Sequence, residues 1–568
     1  MLRVLLISTA LVGTLAATAL AQPPTVLVPG VTYERKLEFT LHGPVRIHII
    51  TAPRPGGLYS LAPTLTAGWL QGRQRLTATQ RAFTQGAATV GVNGDLADTR
   101  GGPAGLFLRD GVLESPPVPN RSSLGIDPSG RLVVQRIGID ADWQGSGPPR
   151  LLKGLNQRPR PGRVTLYTPS WGARTPKSSN TREALLALFP AAKPGTGLTG
   201  RVVKLVKGGR HVIRRGGAVL SAKASARGRL AAEARPGTVV TVRLLLDGLP
   251  GISDAIGGGP LLVERGRPVF DASESFAPSW LVPPKARTAV GQRANGTLVF
   301  VAVDGGRPGY STGLSNFELA RTMAEEGAVT AMAFSGGAST AMAFDGELLN
   351  RPSAVENPIV DALILLYDGV QAAPPLEAAL SPNGDGVGEH QTLSYKLVRP
   401  STVTATLTGP GGVVHTIDSG ERPKTIRRFT WTGLDMEGKL EPEGRWIWKV
   451  SALDDLGRSS VATRDFLLDT TLKSLTVQPT TLVRGGPLQI DVDLLHPASL
   501  TLQVETKRGV PIRTLREGAA PVGHVAMRWS GRVKGKLLAP GRYAIRAIAE
   551  NEIGRMDLVA PFRNVRRR

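Results

Sequence analysis

The sequence predicts an α+β N-terminal domain followed by two all-β immunoglobulin-like sandwiches. Three observations predict it. An apolar run, Leu298 to Val303, stops at Asp304-Gly305-Gly306, a helix-like segment follows, and a second apolar run ends at Ser335-Gly336-Gly337. Gly (68) and Pro (44) make up about a fifth of the 568 residues, which favours turn-rich β structure over long helices. A repeat of 97–98 residues fills the C-terminal third, and that period is the length of one β-sandwich. The chain is too long for one core. The expected division is a signal peptide at 1–21, an α+β domain at 22–371, and sandwiches at 372–472 and 473–568.

The N-terminal segment has the pattern of a secretion signal. Arg3 supplies the charge, Val4 to Ala17 the apolar stretch, and Ala19-Leu20-Ala21 a small-residue cleavage site. The apolar stretch is short for a bilayer, and no later segment reaches spanning length, so no transmembrane segment is expected after cleavage. There is no Cys, hence no disulfide. An exported chain without disulfides fits a bacterial secreted or cell-envelope protein better than a eukaryotic secretory route.

Residues 22–40 form an entry segment, and Val45 to Ile50 (VRIHII) is the first clear strand because β-branched residues dominate it. Leu76 to Gln85 is a short helix, leading to a buried strand Thr89 to Val92 before a turn at Asn93. Residues 195–245 are β-rich. Asn316 to Gly327 is the clearest helix, with Asn316 as N-cap, Glu318 in the first turn and Gly327 as its stop. Phe317, Ala320, Met323 and Ala324 recur on one face and are expected to pack in the core. Around 372–376 (AAPPL) the composition becomes linker-like.

Several blocks carry a resemblance. Val92-Asn93-Gly94-Asp95, Gly101 to Gly105, Asp110-Gly111, Asn156 with Leu166 to Pro169, Ala255 to Pro260, and Arg287-Thr288-Ala289-Val290-Gly291 follow in order. Together with the two Gly-rich tips they make residues 30–370 similar to the phosphodiester glycosidase family, the N-acetylglucosamine-1-phosphodiester α-N-acetylglucosaminidase-like domain. The family usually reads Asp-Gly-Gly-Gly-Ser-Thr where this chain has Ser335-Gly336-Gly337-Ala338-Ser339-Thr340. It tends to read Asp-Gly-Arg where Gly306 stands in the Arg position and Arg307 comes one place later, and a further family Arg is Thr312 here.

The resemblance implies hydrolysis of a sugar from its phosphate at the anomeric carbon, through a transition state with oxocarbenium character that carboxylates stabilise. It implies Asp304 as the carboxylate and Arg287 as a phosphate clamp, because a guanidinium forks onto phosphate. Arg307, Asn93 and Ser339 are implied substrate-binding residues. Gly257, Gly258, Gly336 and Gly337 would let backbone amides approach the anion. The altered positions Ser335 and Gly306 imply an alternative: a catalytically impaired phosphoglycan-binding or structural cell-envelope protein. No nucleophile elbow, phosphate-binding loop or dinucleotide fingerprint is present, and the seven His are scattered without metal-ligand spacing.

In the C-terminal third, Trp431-Thr432-Gly433, Gly438-Lys439-Leu440 and Gly444-Arg445-Trp446 recur as Trp529-Ser530-Gly531, Gly535-Lys536-Leu537 and Gly541-Arg542-Tyr543. These units resemble the immunoglobulin-like domain of the flagellar hook-capping protein, which implies spacers or modules that bind a cell-envelope polymer. Asn383, Asp385 and Glu389 in the loop that opens the first repeat could offer oxygens to Ca²⁺, the one cofactor the sequence suggests; a plain turn is the competing reading. The formal net charge of +24 suits anionic partners such as a phosphorylated polysaccharide. No aromatic-interleaved basic motif appears, which argues against nucleic acid.

Overall fold

The computed structural model describes residues 24–565 except 84–86, 99–100, 249, 270, 272 and 484–485, so the expected export segment at 1–21 lies outside the described residues. The chain divides into two compact units, 1–367 and 368–568. It is mostly β, with 53% in strands and 7% in helices. The α+β expectation therefore overstates the helix. The α-helices of the N-terminal unit among the described residues are Leu76–Phe83, Ala226–Glu233, Pro278–Leu281 and Asn316–Glu325, each ten residues or fewer.

The N-terminal unit is organised by an eight-stranded sheet in which Gly43–Ala52, Leu298–Val303, Arg287–Arg293 and Ala328–Ala333 lie side by side. Leu298–Val303 is buried throughout, as its continuous apolar run requires. It and Ala328–Ala333 both pair antiparallel with Arg287–Arg293. The two glycine-tipped strands thus run parallel to each other without touching, and their carboxyl ends emerge at the same edge where Arg287 begins the strand between them. A second sheet sets Ala88–Asn93 between Met342–Phe344 and Asp361–Tyr367. The two sheets share one core, in which Ile50, Val290, Phe300 and Met332 from the first meet Val90, Val92, Leu363 and Leu365 from the second. Two further sheets, a five-stranded one from residues 107–136 with 254–257 and an eight-stranded one from residues 138–247, enclose a separate core centred on Trp143, Leu166, Leu220 and Val242.

The helix Asn316–Glu325 is capped by Ser315, not by Asn316. The Ser315 hydroxyl accepts from the Glu318 amide at 3.2 Å, and the Glu318 carboxylate accepts from the Ser315 amide at 2.8 Å. Ala320 and Met323 are buried as expected, together with Leu319, while Phe317 is 52% exposed and faces away from the core.

In the second unit, each half packs a three-stranded sheet on a five-stranded one around its own core. Thr425–Trp431 and Gly444–Asp454 lie in opposite sheets, and Trp431 and Trp446 meet across the core at 4.6 Å. The loop that carries Asn383, Asp385 and Glu389 closes on itself. Asn383 accepts from the Asp385 amide, Asp385 from the Val387 amide and Glu389 from the Gly386 amide. Among the described residues no group of three His, Cys, Asp or Glu is placed to hold a metal ion.

Candidate functional site

Two polar clusters form at the shared edge of the N-terminal sheets. The first surrounds Asp304, which ends the strand Leu298–Val303 and is fully buried. Its Oδ2 accepts from Nε2 of His48 and from the Tyr310 hydroxyl, both at 3.0 Å. Its Oδ1 accepts from the Arg351 amide at 2.9 Å and from Asn350 Nδ2 at 3.3 Å. The other ring nitrogen of His48 meets the Tyr33 hydroxyl at 2.8 Å. Burial alone would raise the Asp304 carboxyl; the His48 bond and charge, the Arg351 amide and the Tyr310 hydroxyl outweigh it and hold it below the ordinary carboxylate range. The guanidinium groups of Arg46 and Arg351 stand over the Tyr310 ring at 4.6 and 4.8 Å.

The second cluster surrounds Asp95 and Asp361. The Asp95 carboxylate accepts from the Leu96 amide at 2.7 Å and the Gly105 amide at 2.6 Å, and Oδ1 of Asp361 accepts from the Asp95 amide at 2.7 Å. Gly257 is required here, since a Cβ on it would lie 2.6 Å from Asp95 Oδ2. Burial pushes Asp95 up to about 6 against the pull of Arg121, and burial together with the neighbouring Asp95 charge pushes Asp361 well above its usual value. Among the described residues, Oδ2 of Asp361 and Nε and Nη1 of Arg121 are buried without a hydrogen-bond partner. The Arg121 guanidinium lies 4.6 Å over the Phe276 ring. An open cleft of about 760 Å³ runs beside this cluster, lined by Ala97, Asp98, Ala104, Val118, Lys153 and Arg163.

Asn93 and Asn350 tie the tips together. Asn93 Oδ1 accepts from the Thr288 hydroxyl at 2.7 Å and the Ala341 amide at 3.0 Å, while its Nδ2 donates to the Ser335 carbonyl at 2.7 Å. Asn350 donates to Asp304 and to the Thr340 carbonyl. Asn93 is therefore an internal strut rather than an open ligand.

The expected residues do not all converge. Arg287 is buried, and its guanidinium donates to the carbonyls of Leu314 (2.8 Å), Trp280 (2.7 Å), Pro283 (2.8 Å) and Leu281 (3.5 Å). Burial lowers it to about 10. Four of its five N–H groups are taken by backbone oxygens, so it pins the 280–283 loop and has little left for a phosphate. Arg307 donates to the Pro352 carbonyl at 2.9 Å, and its Nε is buried without a partner among the described residues. Gly257 donates its amide to Leu106 and Gly337 its amide to Ala286. A Cβ on Gly258 would meet Met332 Cε at 2.5 Å, and one on Gly336 the Ala286 carbonyl at 2.8 Å. Gly257, Gly258 and Gly336 thus serve close packing of the tips, while Gly337 takes a positive φ of 66° with open space around it. Ser339 ends a short 3-10 turn, Gly337–Ser339, and is half-buried. Ser335 is buried, with its amide on the Gly94 carbonyl and its own carbonyl on Asn93.

Sequence reading missed His48, Asp95, Arg121, Tyr310 and Asp361 as site residues. His48 lies inside VRIHII and reads as core. Asp361 opens the run DALILLY, where a carboxylate at the head of a buried strand was the available signal.

Residues 195–366 match the family model described as phosphodiester glycosidase. Among curated proteins, the SPbeta prophage-derived uncharacterized protein YomE of Bacillus subtilis (strain 168) is 37% identical over 82 residues, 14% of this chain and 13% of that one. The chain thus matches a small part of that relative's length. Among solved structures, a hypothetical protein from Synechocystis is similar with a TM-score of 0.51 at 23% identity, covering 60% of this chain and 62% of that one. A zebrafish N-acetylglucosamine-1-phosphodiester alpha-N-acetylglucosaminidase catalytic domain, auto-inhibited by its pro-peptide, is similar with a TM-score of 0.31 at 13% identity, covering 61% of this chain and 87% of that one.

Proposed function

We propose that the N-terminal unit is an exported hydrolase domain that cleaves a sugar-1-phosphodiester link in a phosphorylated glycan. The observation that carries this reading is the phosphodiester glycosidase match at 195–366, a stretch that contains Gly257, Asp304, Ser335 and Asp361, all in or beside the two polar clusters. The chemistry agrees with it. Carboxyl groups whose surroundings push their pKa values apart divide into an acid and a standing anion. Asp304 stays ionised and would stabilise positive charge near the anomeric carbon, directly or through His48 and Tyr310. Asp95, raised to about 6, would supply a proton near neutral pH. The phosphate leaving group needs little protonation, since its second pKa is about 6. Arg121, whose Nε and Nη1 have no partner among the described residues, takes the clamp role expected of Arg287, and Arg287 becomes a positioning residue.

Incubation of the purified chain with the methyl diester of a sugar-1-phosphate tests this. Free sugar should appear, and Asp304→Asn or Arg121→Ala should each slow its release by at least about 100-fold, of order 3 kcal/mol in the barrier. No release from any such diester removes the reading.

Ser335 favours a second reading. A buried Ser stands where the resembling family carries Asp, and a hydroxyl cannot supply that charge. The domain would then bind phosphorylated glycan without cutting it. Salt-sensitive binding with no product, and sugar release gained by Ser335→Asp, would select it.

A further inference from the structure

We propose that the second C-terminal sandwich carries a groove for the phosphate groups of an anionic glycan, on the outer face of its five-stranded sheet. This goes beyond the hydrolytic reading and does not depend on it. The groove, about 470 Å³, is lined by four cations, Lys507, Arg542, Arg546 and Arg563, against one carboxylate, Glu505. Glu505 is already bound by Arg546 at 2.8 Å, and Arg546 also pairs with Asp557. Lys507, Arg542 and Arg563 are exposed, and among the described residues their side chains have no hydrogen-bond or ion-pair partner.

The register makes this arrangement costly without a ligand. Arg542 stands directly opposite Arg563 in the antiparallel pair Gly541–Glu550 with Arg555–Val565. Opposite residues project from the same face, and like charges there repel. The first repeat solves the same position differently. Its counterpart Arg445 faces Leu467 and bonds Asp465 at 3.0 Å. Asp465 in turn stands opposite Ile447, while in the second repeat Pro561 stands opposite Ala544. The carboxylate that neutralises the first repeat is thus a proline in the second, where a second arginine is added. A phosphodiester between Arg542 and Arg563 would occupy both guanidinium forks and relieve their repulsion. Ala544 and Pro561 give a flat floor for a sugar ring. Single-stranded nucleic acid would need an aromatic face for its bases. Tyr543 and Phe562 are instead stacked on each other at 5.8 Å, with the Tyr543 hydroxyl bound to the Ala539 carbonyl.

The full-length chain is titrated with phosphomannan, with the same mannan after phosphate removal, and with a single-stranded oligonucleotide. Phosphomannan should bind, and Arg542→Ala with Arg563→Ala should weaken it at least about tenfold. Lys204→Ala with Lys207→Ala removes the same charge from an exposed strand of the other unit and should leave binding unchanged. Because the double variant relieves a like-charge pair, its melting temperature should not fall; if it does, Arg542→Gln alone reads the same binding loss. Equal loss in both double variants, equal binding of the phosphate-free mannan, or tighter binding of the oligonucleotide overturns the proposal. Sugar release is followed separately, so failure here leaves the hydrolytic reading untouched.

Discussion

At the scale of single residues, the buried acids at the strand tips determine the behaviour of the N-terminal unit with pH. An acid whose folded pKa exceeds its unfolded value binds more protons folded than unfolded between the two. Stability therefore falls as pH rises through that window. For Asp95 the window runs from 3.8 to about 6, and Asp361 is displaced in the same direction by burial and by the Asp95 charge. Asp361→Asn keeps an oxygen for the Asp95 amide and removes the ionisation. It should raise the melting temperature more at pH 7.5 than at pH 5, and so flatten the decline of stability with rising pH. A variant destabilised equally at pH 5 and pH 7.5 would contradict this. Arg287 makes the opposite case. Its removal leaves the carbonyls of Leu314, Trp280 and Pro283 without their donor and empties a buried site, so Arg287→Ala should cost about 3 kcal/mol or more in denaturant unfolding. Its activity loss should then track unfolding, unlike that of Arg121→Ala, which should abolish sugar release with the melting temperature nearly unchanged.

At the scale of elements, the helix Asn316–Glu325 transmits its cap to the site. Ser315 closes a capping box, and the carbonyl of the preceding Leu314 accepts from Arg287. Ser315→Ala should cost about 1 kcal/mol in urea unfolding, and a change below about 0.3 kcal/mol would mean that the cap is dispensable. The sequence carried most of this element. Glu318 in the first turn and Gly327 after the last were legible, and the shift of the cap from Asn316 to Ser315 reflects reciprocal bonding that needs the pair Ser315 and Glu318 read together. The strands were legible for the same local reason: Leu298 to Val303 is apolar throughout and bounded by glycines. What sequence could not give is which tips face each other. Arg287 begins a buried strand beside a Gly-rich tip, yet its guanidinium turns back to carbonyls at 280–283, and that choice depends on a loop whose path is set by tertiary packing. His48 shows the same limit, since a histidine among β-branched residues looks like core until Asp304, 256 positions away, is brought to its ring.

At the scale of the whole molecule, separate cores predict separable unfolding. The apolar clusters of the first unit and those of residues 368–568 have no members in common. The 97–98 residue period foretold the repeat in the second unit, but not the divergence of its outer faces, which shows only once the paired positions are known: Leu467 opposite Arg445 gives way to Arg563 opposite Arg542, and Asp465 opposite Ile447 to Pro561 opposite Ala544. Trp446 offers a clean test of independence. It is fully buried, lies against Trp431, and fills the space over Gly409, where a Cβ would meet its ring at 2.4 Å. Trp446→Ala removes a large side chain from a closed core and should cost about 3–5 kcal/mol. Because few small cores share cooperativity across a unit boundary, scanning calorimetry of the full chain should show at least two transitions. The variant should lower one of them by several degrees and leave the other in place. Sugar release by the first unit should be unchanged at temperatures below both transitions. A single transition that moves as a whole would mean that the units fold as one body, and would require a coupling that their separate cores do not supply.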